Sequence, residues 1–288
     1  MKSFILSLCC ILILLSGTSF QPKAEWTPLL DKNLSRWEIY QSFRHKLGYK
    51  GEAPKDENGN LVKPIGYNIN QDKVFTVIEE NGEPVLHIDG DIYGCLFTKQ
   101  EFGNYDLKLK VKWGTHKYVP RINEPKDSGV LYHSQGECGV EYWRTWMLSQ
   151  EFQVTEAGMG DYWSQASSRS DVKAIKKDKD YFFDKNGTTT AFGSGTGNGG
   201  FCHAGVDAEN KDGWNDLELI TYGDKAIRIV NGKVVMALSN SRYMVGNEAK
   251  PLVKGKIQIQ SEAAEVFYKD INIRPIGGIP AEYAEYFK

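Results

Sequence analysis

The chain is poor in the residues that usually announce chemistry. Its 288 residues hold 5 histidines and 5 cysteines, and no HExxH pair, paired CxxC or Asp-rich calcium loop occurs among them. The common metal-ligand spacings are therefore missing, which leaves a divalent cation open but unsupported and no cofactor established. A GxSxG elbow is also missing, so no serine is nominated as the nucleophile of a triad. Positive charge is not in surplus: 35 Lys and Arg against 37 Asp and Glu give a net charge of −2. Phosphate neutralisation needs an excess of basic groups, so nucleic acid and anionic membranes are excluded as expected partners. No long stretch repeats apolar residues at helical spacing, and strands do not alternate with helical patterns, which argues against α and parallel α/β folds.

What is present points to sheets. The sequence has 29 glycines, 7 tryptophans and 15 tyrosines within an otherwise ordinary soluble composition of 41% hydrophobic and 25% charged residues. Aromatic sequence punctuated by glycine favours short strands. The length suits two domains of ~150 residues or one β-sandwich of roughly 200–250 with additions.

The N-terminus is of a different kind. Lys2 precedes an apolar run over 4–15, shorter than the ~20 residues of a membrane span, and the small residues Gly17 and Ser19 suit cleavage before Phe20. We expect residues 1–19 to be a secretory signal peptide, residues 20–288 to form a single domain, and no membrane insertion after cleavage. A retained anchor and a lipoprotein are the alternatives, but Cys9 and Cys10 lie inside the apolar run rather than after a small residue at its end. Cys95, Cys138 and Cys202 remain, so at most one disulfide can form and at least one thiol is left as a small buried hydrophobe.

Runs at 74–78, 84–88, 105–113, 129–133, 151–155, 215–221, 226–230, 233–238, 256–260 and 266–273 read as strands. In the clearest, Tyr105, Leu107, Leu109, Val111 and Trp113 alternate with Asp106 and three lysines, the period of two of a half-buried strand. Asn231-Gly232 is a hairpin signal of type I′. The expected fold is all-β, a two-sheet antiparallel jelly-roll sandwich. Residues 40–71 and 156–213 do not fit as strands and read as long decorating loops, a kind that is usually functional or disordered. The glycine-rich 193–200 looks like a phosphate loop only superficially, having no following Lys-Ser or Lys-Thr and no helix behind it.

Candidate site residues come from polar faces. In 151–155, Glu151, Gln153 and Thr155 share one face and Phe152 and Val154 the other. Gln258, Gln260 and Glu262 similarly alternate with Ile257 and Ile259, and glutamine is not a residue strands favour. Rows of amides with a carboxylate suit sugar hydroxyls; an ordinary solvated face is the alternative. Tyr142, Trp143, Arg144, Trp146 and Trp163 bracket the Glu151 strand and offer stacking faces, although core packing also explains many such tryptophans. Glu151 and Glu156 would lie on opposite faces on the order of 16 Å apart at ~3.3 Å per residue, too far for a glycosidase pair. His133, ending its strand, and His203, in the long loop, are candidate acids, bases or ligands, or simply solvated.

The ordered series Trp26–Trp37, Leu96–Lys110, Asp127-Ser-Gly-Val, Glu151-Phe-Gln-Val, Gly213-Trp-Asn-Asp-Leu-Glu, Val230-Asn-Gly-Lys, Gly255–Gln260 and Phe267–Ile271 resembles the 3-keto-disaccharide hydrolase domain family, over about 26–275. The resemblance implies one concanavalin-A-like, glucanase-like sandwich with a concave carbohydrate groove. It also implies export, to the periplasm or outer surface of a Gram-negative bacterium. The implied reaction is a base-initiated β-elimination beside a C3 ketone, with water adding afterward. Carried onto this sequence, Glu151 is the base, Gln153 orients substrate, Asn215 and Gln260 bind hydroxyls, and His133 or a cation stabilises the enolate. Gln258, Trp146, Arg144 and Trp163 complete the expected substrate-binding set. The insert at 156–213 is expected to wall the groove, and the tail beyond Gly277, with Tyr283, Tyr286 and Phe287, to dock on the sandwich. The competing expectations are a non-catalytic carbohydrate-binding module and a structural surface protein.

Overall fold

A computed structural model describes residues 24–140 and 145–288. The expected signal peptide, and Tyr142, Trp143 and Arg144, lie outside these residues. Two antiparallel sheets face each other. The larger has twelve strands, with Tyr105–Lys117 between Asn215–Tyr222 and Ala264–Pro275 near its middle. The smaller has eight, ordered Phe201–Cys202, Tyr162–Gln165, Leu148–Thr155, Asp127–Gln135, Lys256–Ser261, Gly94–Thr98, Trp37–Gln41 and Gly66–Tyr67.

The alternation of side chains explains the layering. Leu107, Leu109 and Val111 point into the space between the sheets, where they meet Val130, Phe152, Val154, Ile257 and Ile259 from the smaller sheet. Lys108 and Lys110 point outward and pair across the strand register with Glu218 and Asp216, at 3.3 and 3.4 Å. Such exposed pairs contribute little stability, so burial of the aliphatic rows holds the layers together. Asn231 and Gly232 have φ of 48° and 77° and close the expected hairpin. All ten expected strands are present.

The segment 156–213 differs from the sequence-based expectation. It contains the strands Tyr162–Gln165, Ser168–Lys177, Asp180–Phe183, Thr188–Gly193 and Phe201–Cys202. In Ser168–Lys177 the buried positions are Ser168, Ser170, Val172 and Ala174. The period of two exists, but serine and alanine fill three of the four inward positions, so hydropathy conceals it. Ser168 Oγ donates to Ser149 O at 2.8 Å, which satisfies the buried hydroxyl. By contrast 40–71 stays largely irregular, with the end of Trp37–Gln41, Gly66–Tyr67, a bridge between Lys55 and Leu61 and the first residue of the 3-10 turn Gln71–Lys73. The C-terminal 3-10 turns at Ala281–Phe287 dock as expected: Tyr283, Tyr286 and Phe287 pack on the core, with Tyr286 stacked near Phe183.

A second apolar cluster covers part of the outer face of the smaller sheet. It joins Tyr40, Tyr93, Cys95, Phe97 and Leu131 of the sheet side to Cys138, Trp146 and Met147 of the overlying segment. The rest of that face is open and polar.

Candidate functional site

The open face holds a cavity of about 330 Å³ whose floor is the strand Leu148–Thr155. Phe152 and Val154 anchor the strand in the core, so Glu151 and Gln153 must turn to the other side. Register brings Gln153 opposite Gly129, and the next strand places Gln260 on Gly129's far side. A Cβ on Gly129 would sit 2.4 Å from Gln260 Oε1 and 2.6 Å from Glu151 Oε1. Only a residue without a side chain lets these two functional groups approach across the strand.

Four carboxyls line the cavity: Asp127, Glu151, Asp161 and Glu262. Gln165 Nε2 donates a short hydrogen bond to Glu151 Oε2. Gln153 Nε2 donates to Asp127 Oδ1 at 2.8 Å, and Arg121 Nη2 lies 2.7 Å from Asp127 Oδ2. Asp161 accepts from Ala204 N at 2.7 Å and faces His203 Nδ1 at 3.3 Å. Burial disfavours every one of these charges. It pushes Glu151 up to about 8, with the charge of Asp127 adding and the Gln165 and Gln260 hydrogen bonds and Arg228 opposing. Asp127 is raised to about 7 by burial against the pull of Arg121, and Asp161 to about 6 by burial against Ala204 N–H and His203.

Polar atoms without partners face the same space. Gln153 Oε1, Gln260 Oε1 and Trp146 Nε1 are buried and make no hydrogen bond. An unsatisfied buried group costs about 1–3 kcal/mol. Several in one cavity describe a surface built to be completed by hydroxyls and carbonyls of a ligand. Trp163 stands at the rim, 41% exposed, with its ring 4.7 Å from that of Phe201.

The structure thus brings together Glu151, Gln153, Gln260, Trp146 and Trp163. It does not bring His133, Asn215 or Gln258 to the cavity. His133 has a left-handed φ of 53° at a register irregularity, and this bulge turns its ring away, between Leu252 O at 3.1 Å and Gly103 O at 3.3 Å. Burial holds its pKa down at about 4. The expectation that His133 stabilises an enolate is therefore corrected: it packs beside Tyr105 and Tyr132. Asn215 belongs to the larger sheet, where Oδ1 accepts from Asn210 N at 2.6 Å and Asn231 Nδ2 at 2.8 Å, so it ties a loop to the hairpin instead of binding hydroxyls. Gln258 shares the correct face, yet Nε2 donates to Ser134 Oγ at 2.8 Å and Oε1 accepts from Met147 N at 3.3 Å. Its amide is used in holding the segment that carries Trp146.

Sequence reasoning missed Asp127, Asp161, Gln165, Arg121 and Phe201 as site residues. Glu262 was legible as the continuation of the Gln258, Gln260 row, while Gln165 gave no signal because its strand was hidden in the insert. Among the described residues no group of three or more His, Cys, Asp and Glu is arranged to hold a metal ion. No described helix is long and apolar enough to cross a membrane.

Fold and cavity together define a two-sheet β-sandwich with a carboxyl- and amide-lined cleft on the outer face of one sheet. The chain belongs to the family described as the 3-keto-alpha-glucoside-1,2-lyase-like domain, whose family model matches residues 25–274, and it is a carbohydrate-acting sandwich protein. Among solved structures it is similar to a candidate glycosyl hydrolase from Parabacteroides distasonis ATCC 8503, at 17% identity over 88% of this chain and 100% of that one, TM-score 0.45. It is also similar to a Bacillus licheniformis β-glucanase, at 10% identity over 89% of this chain and 100% of that one, TM-score 0.41. A carbohydrate-binding module of Bacillus subtilis matches at 10% identity over 69% and 91% of the two chains, TM-score 0.39. No protein of curated function matches.

Proposed function

We propose that this protein is an exported enzyme that cleaves 3-keto-glycosides by β-elimination, with Glu151 as the base. The carrying observation is Glu151 itself: a buried carboxyl on the cavity floor, raised to about 8, beside the unpartnered amide oxygens of Gln153 and Gln260. A ketone at C3 acidifies the C2 proton. Glu151 takes that proton, the C2–H electron pair forms an enolate, and the enolate collapses to a C1–C2 double bond as the C1–O bond breaks. A base with a raised pKa can return the proton to the departing oxygen. Gln260 Nε2, turned to Glu151, supplies a donor for the developing negative charge, and Gln153 Oε1 a free acceptor for a ring hydroxyl. One base suffices, so the reaction does not require the carboxylate spacing of ordinary glycoside hydrolysis. Water adding to the unsaturated product would complete a net hydrolysis.

Release of the aglycone from 3-keto-glucosides and from their unoxidised parents, by wild type and Glu151→Gln, tests this reading. Cleavage confined to the keto substrates and lost in the variant supports it; equal rates for wild type and variant would remove Glu151 from the chemistry. The exposed ring of Trp163 favours a second reading, a non-catalytic carbohydrate-binding module, which wins if the protein binds glycans by calorimetry and cleaves none. Export rests on residues 1–19, and the mass of the mature protein in a periplasmic or surface fraction tests it.

A further inference from the structure

Glu262 follows the strand Lys256–Ser261, and a single antiparallel bridge sets it against Asp127. Both are buried, at 4% and 5% exposure, and both turn to one guanidinium. Arg121 Nη2 is 2.7 Å from Asp127 Oδ2, whereas Nη1 is 3.8 Å from Glu262 Oε1 and 3.4 Å from Glu124 Oε2 at the exposed rim. Asp127 also accepts from Gln153 Nε2 at 2.8 Å. The nearest charges are thus one cation and the carboxyls of Asp127, Glu124 and Glu151. Asp127 holds the short ion pair and an amide N–H, so Glu262 is left with the long contact. A buried carboxylate without a close partner is costly, and keeping its proton removes that cost. Burial and the negative neighbours raise the Glu262 pKa well above the ordinary value.

A separate observation marks the space in front of Glu262 as a ligand position. Gln260, fully buried, lines the same cavity with its amide oxygen unbonded and its N–H turned to Glu151. A neutral carboxyl beside it would add an O–H donor to the N–H of Gln260, and two such donors describe an oxyanion hole.

We propose that Glu262 stays protonated in the resting protein and donates a hydrogen bond to the C3 oxygen of the substrate as that oxygen becomes an enolate, with Arg121 and Asp127 forming the ion pair that leaves it neutral. The inference rests on the elimination proposed above. Glu262 keeps its proton throughout; the only proton transferred is the one Glu151 takes from C2. A carboxylic acid held neutral at physiological pH in this way is an established means of stabilising an enolate.

The test compares Glu262→Gln, which keeps a donor but cannot ionise, with Glu262→Met, which has none. Glu262→Met should lower kcat by about 10²–10³ with little change in KM, and Glu262→Gln should stay within about tenfold of wild type. Equal losses in both variants, or a change confined to KM, overturn the role. Carbon NMR of carboxyl-labelled glutamate, assigned by the signal that Glu262→Gln removes, reads protonation without turnover: a neutral carboxyl at neutral pH supports the proposal, and an ionised one overturns it even if Glu262→Met fails to fold. Should wild type cleave no 3-keto-glycoside, the elimination reading fails by itself, and this signal still decides the protonation on which the present proposal depends.

Discussion

Glu151 illustrates how much a single side chain's environment can set. The ordinary glutamate pKa is about 4.3, and burial lifts this one to about 8. A base must be ionised to act, so kcat/KM for a 3-keto-glycoside is expected to rise with pH through about 8 and level off above it. Stability runs the other way. A raised pKa means that the folded state binds the proton more tightly than the unfolded chain, so the stabilisation is complete at acid pH and is lost as pH rises through the folded value. Glu151→Gln should therefore melt higher than wild type, with a gap that widens toward alkaline pH, while its turnover falls at least ~10³-fold; thermal melts across pH check the first and initial rates the second. His133, which from sequence looked equally suited to chemistry, should behave oppositely. Its ring lies between two carbonyls in the interior and donates its single N–H to one of them, so His133→Ala should lower the melting temperature and leave kcat within about threefold once the protein is folded.

At the scale of elements, the site depends on three adjacent strands meeting at one glycine. Gly129→Ala would place a methyl carbon within 2.6 Å of both Gln260 Oε1 and Glu151 Oε1. We expect this change to spread the two side chains and reduce kcat at least ~10²-fold while circular dichroism stays native, because the flexible ends of the side chains yield before the sheet does. Strand pattern was readable wherever the inward row is aliphatic, as in Tyr105–Lys117 and Leu148–Thr155. It was unreadable in Ser168–Lys177, whose inward serines depend on hydrogen bonds such as Ser168 to Ser149 O rather than on hydrophobicity. Gln165 was lost to view for the same reason, and with it the partner of Glu151.

For the molecule as a whole, the segment over the smaller sheet is fastened by more than packing. Cys95 and Cys138 lie with their sulfurs 3.7 Å apart, and Cys202 is buried apart from them beside the Phe201 platform. Exposure to an oxidised dithiol should join Cys95 to Cys138 and leave Cys202 as a free thiol; mass mapping of alkylated peptides under denaturing conditions checks it, and any pairing that includes Cys202 would contradict the geometry. The sequence alone determined the sandwich class, the faces of the strands and the candidacy of Glu151, Gln153 and Gln260, since period-two alternation is a local property. Only the tertiary structure decided that Asp127, Asp161, Glu262 and Arg121 converge on Glu151, and that His133, Asn215 and Gln258 serve the scaffold. Convergence depends on strand register, on a bulge and on which charges share one guanidinium, and these are relations between segments far apart in the chain.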